Sequence, residues 1–103
     1  MRFTVRLTRE ALEDLERLEE FLIDMALRHG DFELPMRAVD AIRHELQILE
    51  TNPYTCRKVG HNPLERELII PFGGTGYVAL FEIMSESEVA VSAIRHQRED
   101  DYH

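Results

Sequence analysis

The chain has 103 residues and a mass of 12.1 kDa, room for one hydrophobic core, since a domain of this size buries roughly 60–70% of its unfolded surface. A net charge of −8 works against non-specific nucleic-acid binding, whose affinity comes mainly from clustered Lys and Arg. Cys56 has no second cysteine to pair with, and no apolar run reaches about 18 residues, so one domain in a reducing cytoplasm, with no membrane span, is expected.

Phe3, Val5 and Leu7 alternate with Arg2, Thr4 and Arg6, the period of a strand with one buried face and not of an apolar signal core. Thr8 is placed to cap a helix, with Glu10 in the first turn where the helix dipole favours an anion. Ala11, Leu15, Leu18, Leu22 and Met25 then make an apolar stripe, and Gly30 supplies the stop. The same helix holds Glu10, Glu13, Asp14, Glu16, Glu19, Glu20 and Asp24, so much of the acid lies on one face. Pro35 opens a second helix where a missing N–H costs least. Its stripe is Val39, Ile42, Leu46 and Leu49, and Asn52-Pro53 is expected to close it.

From Thr55 the pattern turns to short strands. Cys56–Val59 is a weak candidate and Arg66–Phe72 a strong one, with Pro71 suited to a strand end or an edge. Gly73-Gly74-Thr75-Gly76 has the residues for a hairpin turn, followed by strands over Tyr77–Ile83 and Val89–Ile94 with a polar turn at Ser85-Glu86-Ser87. The tail from Glu99 to His103 reads as short and exposed. The order is β-α-α-β-β-β-β, an α+β domain over residues 1–103 with a two-helix hairpin against a mostly antiparallel sheet.

The Gly-rich turn is no phosphate cradle, because a strand and not a helix follows it. His29, His44, His61, His96 and His103 are scattered without the close spacing of a metal site, so no metal and no cofactor is expected. Nothing in the sequence gives Cys56 a base, and an incidental thiol is the simpler reading. The run Arg95, His96, Arg98 and Tyr102 holds more chemistry. His96 and Arg98 share one side of an extended chain, and Arg66 approaches them if the strands pair in the order drawn. His, Tyr and Arg can supply the base, acid and cations that RNA cleavage by a 2′-OH requires. The plainer alternative is ion pairing with Glu99, Asp100 and Asp101. On the first helix Ile23 and Leu27 form an i, i+4 apolar pair off the main stripe, either extra core or a docking surface for a partner segment.

Phe3-Thr4-Val5-Arg6-Leu7-Thr8, Asn52-Pro53, Arg66-Glu67-Leu68, Gly76-Tyr77-Val78-Ala79-Leu80-Phe81 and Ile94-Arg95-His96-Gln97-Arg98 occur in an order and spacing that resembles the RelE/ParE family of bacterial toxins over nearly the whole chain. The resemblance implies the toxin of a type II toxin–antitoxin module, in a hetero-oligomer with a cognate antitoxin whose segment folds on binding. Two activities follow from it. RelE-like members cut mRNA in the ribosome and commonly carry an arginine directly after the Gly-Tyr of the central hairpin, with lysines on the preceding strand. ParE-like members poison DNA gyrase and are not nucleases. Here the arginine position is Val78, and the preceding strand has Glu65, Glu67 and Ile69. Acids there repel an mRNA backbone.

The expectation is therefore a ParE-like toxin that inhibits DNA gyrase by protein–protein contact, with Arg66, Arg95, His96, Arg98 and Tyr102 as the target-binding surface and Ile23 and Leu27 as antitoxin-binding. The alternative is a ribosome-dependent mRNA endonuclease with Arg66, His96, Arg98 and Tyr102 as its catalytic set. A third reading is a degenerate member that keeps the antitoxin and has lost toxicity.

Overall fold

A computed structural model describes residues 2–97. In chain order it has strand β1 (Thr4–Leu7), helices α1 (Arg9–His29) and α2 (Leu34–Leu46), then strands β2 (Arg57–Val59), β3 (Asn62–Phe72), β4 (Thr75–Ile83) and β5 (Glu88–His96). The α+β order expected from the sequence is the order observed.

Local chemistry sets the helix ends. The Thr8 hydroxyl accepts the Ala11 N–H at 3.2 Å, satisfying one of the donors a helix start leaves unpaired. Gly30 ends α1 in the left-handed conformation at φ 78°, where a Cβ would be strained. Pro35 lies in the first turn of α2 as expected. The end of α2 differs from the expectation at Asn52-Pro53. The α-helix gives way at Gln47 to a tighter 3-10 turn over Gln47–Glu50, and a second such turn runs over Pro53–Thr55. The tightening keeps Leu49 fully buried while turning the chain toward the sheet edge.

The five strands form one sheet in the order β1-β5-β4-β3-β2. β1 and β5 run parallel, and every other pair is antiparallel. α1 lies against β5 and α2 against β3, so both helices cover one face of the sheet. That face supplies Leu68, Ile70, Tyr77, Ala79, Phe81, Ile83, Val89, Val91 and Ile94 to the core, against Ala11, Leu22, Ala38, Ile42 and Leu46 from the helices. The alternate residues, among them Glu65, Glu67, Ile69, Val78 and Arg95, point to the face that no helix of the described residues covers.

The β3–β4 hairpin turns through Gly73 and Gly74, with Gly73 at φ 60°. Thr75 and Gly76 belong to β4 itself. Gly76 pairs with Pro71, and a Cβ there would meet the Ile70 carbonyl oxygen at 2.3 Å, so the strands close only around a glycine. No helix of the described residues is long and apolar enough to cross a membrane.

Candidate functional site

The C-terminal half of β5 is built differently from the rest of the sheet. β1 covers it only from Glu88 to Val91, and the register between β4 and β5 shifts at Leu80 and Phe81. Past that point no strand of the described residues lies on the β1 side of β5. Thr8 covers the first step, donating its N–H to the Val91 carbonyl at 2.9 Å. Asp14 of α1 covers the next, accepting the Ile94 N–H at 3.0 Å while its other oxygen holds Arg17. A helix side chain thus takes a ladder position and fixes α1 over the end of the sheet.

Beside this clamp lies a groove of about 660 Å³, bounded by α1, the start of α2, the β3–β4 turn and β5. Leu18, Phe21, Leu22, Met25, Leu34, Phe72, Tyr77 and Ile94 make most of its wall, and Asp14, Arg17, Thr75 and His96 supply the polar groups. His96 sits at its end with Nε2 3.0 Å from the Thr75 hydroxyl, and its ring meets the edge of Tyr77 at 5.6 Å between centroids. Tyr77 is 3% exposed, and burial pushes its phenol above the usual range, away from service as a base at neutral pH.

Period-2 alternation separates Arg95 from His96. His96 faces the groove, while Arg95 faces the uncovered side in line with Val78 and Ile69. The neighbouring rows on that side are acidic. Glu65 stands directly opposite Glu82, and Glu67 is engaged by Arg57. Arg98 and Tyr102, expected in the same cluster, lie outside the described residues.

The expected approach of Arg66 to His96 does not occur. Arg66 pairs with Phe81, whereas His96 is in register with Tyr77 and, across β4, with Ile70. Those levels are about 13 Å apart along the strand, at ~3.3 Å per residue. The Arg66 side chain is 8% exposed and turned inward. It donates from Nη1 to the carbonyls of Tyr54 (2.7 Å) and Cys56 (3.0 Å) and from Nε to that of Pro63 (2.9 Å), with its guanidinium 5.4 Å from the centre of the Tyr54 ring. It ties the 3-10 turn at Pro53–Thr55 and β2 to β3. Cys56 lies beside it, with its thiol raised by burial and pulled back partly by the Arg66 charge.

Ile23 and Leu27 are exposed, at 45% and 69%, so they are not extra core. Phe21, Phe32 and Met36 are exposed near the same end of the helical hairpin. Among the described residues no three His, Cys, Asp or Glu side chains converge as metal ligands would. Asp14, Thr75 and Tyr77 were missed by sequence reasoning. Tyr77 and Thr75 could have been found from the alternation of β4, but the Asp14 contact spans α1 to β5 and leaves no local signal.

A model of the ParE toxin of type II toxin–antitoxin systems, parDE, matches residues 5–101. Among solved structures, the chromosomal ParDE TA system from P. aeruginosa has a chain similar over 92% of this chain and 96% of its own, with a TM-score of 0.68 and 19% sequence identity. A likeness at that identity speaks for the fold. No curated protein matches the chain.

Proposed function

The chain belongs to the ParE toxin family of type II toxin–antitoxin systems, and from that premise we propose that it inhibits DNA gyrase by protein–protein contact and is neutralised by a cognate antitoxin. The end of β5 is the target-binding surface, with Arg95 on one face and His96 on the other; Arg98 and Tyr102, which lie outside the described residues, are assigned to target binding from the sequence. Ile23 and Leu27 anchor the antitoxin.

The fate of the cations carries protein contact over RNA cleavage. A nuclease must offset the charge that develops on phosphorus, and it does so with Lys and Arg at the reacting phosphate. Arg66 spends its guanidinium on three backbone carbonyls. Arg17 is held by Asp14 at the groove, and the uncovered sheet face sets Glu65 against Glu82. An mRNA backbone laid over Glu65 and Glu82 meets like charge. The groove wall is mainly apolar, and the guanidinium of Arg17 in its lining is already held by Asp14.

Two assays on antitoxin-free protein test this: gyrase supercoiling with trapping of the cleavage complex, and mRNA cleavage on programmed ribosomes. Inhibited gyrase with intact mRNA is the expected result, and Arg95→Glu should weaken it at least about tenfold. Codon-positioned mRNA cuts that vanish in His96→Ala would overturn the proposal and make the groove an active site.

A further inference from the structure

The outward face of α1 carries an apolar line interrupted by unpaired acid. Leu12 and Ile23 are about three helical turns apart, some 16 Å, and Leu27 follows one turn on, so all three share a face. Leu12 is 50% exposed, close to the value for Ile23. Glu16, Glu19 and Glu20 lie between them, all exposed and without an ion pair among the described residues. Elsewhere on the helix Asp14 and Asp24 are matched by Arg17 and Arg28.

We propose that this face docks a cationic amphipathic segment of a partner chain, with apolar side chains about 16 Å apart and Lys or Arg between them. The proposal rests on the antitoxin reading above and names the chemistry of the antitoxin segment that covers α1. The sign of the charge selects the occupant. A second copy of this chain brings its own glutamates against these, in a molecule already at −8. An anionic membrane or nucleic acid is repelled in the same way. A neutral apolar segment would strip water from three carboxylates and return nothing to them. A row of cations returns hydrogen bonds and steers the encounter, while Leu12, Ile23 and Leu27 hold the complex.

The test uses two synthetic helical peptides of about five turns with leucines at the same positions, one with Lys and the other with Glu between them. Each is titrated into the full chain by calorimetry, with amide shifts reporting where it sits. The Lys peptide should bind at least about tenfold more tightly than the Glu peptide at low salt, shift the amides of α1, and lose most of that preference by about 0.5 M salt. Glu16→Lys, Glu19→Lys and Glu20→Lys together should invert the preference. Ile23→Ser with Leu27→Ser should weaken the Lys peptide about tenfold with the charges untouched. These positions are exposed, and unchanged thermal melts verify the fold. Equal affinity for the two peptides would refute the charge selection and leave the docking face standing. Failure of both to bind would remove the docking face itself. Undiminished binding of the Lys peptide to the Ile23 and Leu27 variant would reduce it to ion adsorption and refute the proposal.

Discussion

Arg66 shows how far a side chain's role can depart from its type. An arginine flanked by Glu65 and Glu67 near a strand start has the sequence signature of a surface cation. Its three acceptors are backbone carbonyls of Tyr54, Cys56 and Pro63, groups that carry no residue-type signal. Replacing it by Met fills much of the volume but leaves those carbonyls without a donor. The expected cost is about 3 kcal/mol by urea denaturation, with Arg66→Lys recovering only part, because an ammonium cannot reproduce the planar fork. If Arg66 were instead a contact residue, Arg66→Met would leave the denaturation midpoint unchanged and lower target binding alone.

The elements are held by contacts that join distant parts of the chain. Asp14 is the clearest case, since α1 and β5 meet through its carboxylate on the Ile94 N–H. Asp14→Ala should cost about 2 kcal/mol and speed hydrogen exchange at Ile94 in particular, while Asp14→Asn keeps a neutral acceptor and should lose roughly half as much. Exchange at Ile94 equal to that of the parent would show the clamp to be dispensable. The β3–β4 hairpin has a steric requirement instead. Gly76→Ala sets a Cβ against the Ile70 carbonyl oxygen, so a loss of more than about 2 kcal/mol, or failure to fold, is expected on thermal denaturation. Gly73 needs its glycine for the positive φ, whereas Gly76 needs it for proximity, and only the first requirement can be read from a turn motif.

At the scale of the whole molecule, alkaline pH acts on the described residues through the Cys56 thiol and the Tyr77 phenol, whose folded values lie above their ordinary ones. Burial raises both the Cys56 thiol and the Tyr77 phenol. Each is an acid whose unfolded form ionises first as pH rises, so the unfolded chain releases protons that the folded chain keeps. The contribution of these two groups is therefore full below about pH 8 and falls as pH climbs through about 8.5 for the thiol and about 10 for the phenol. Denaturation midpoints measured from pH 7 to pH 11 should show this alkaline decline. Tyr77→Phe should flatten its upper part and Cys56→Ser its lower part. A midpoint constant up to pH 11 would rule the effect out.

The order of elements, the capping of α1 by Thr8 and Gly30, the start of α2 at Pro35 and the hairpin turn at Gly73 follow from periodicity and local chemistry, which act over a few neighbouring residues. The exposure of Ile23 and Leu27 does not: falling off the stripe that Leu15, Leu18 and Leu22 define fits extra core as well as a docking surface, and the packing leaves both side chains exposed. Resemblance to the RelE/ParE toxins was legible for a related reason: the sequence blocks that carry it follow the elements in order. What the tertiary structure alone decided are the relations between residues far apart in sequence. It set β1 parallel to β5, turned His96 toward the helices and Arg95 away from them, placed Arg66 at the level of Phe81 and drew its guanidinium inside. The physical reason is that strand register and side-chain partners are chosen by packing across the sheet, where backbone groups and apolar surface from every element compete at once.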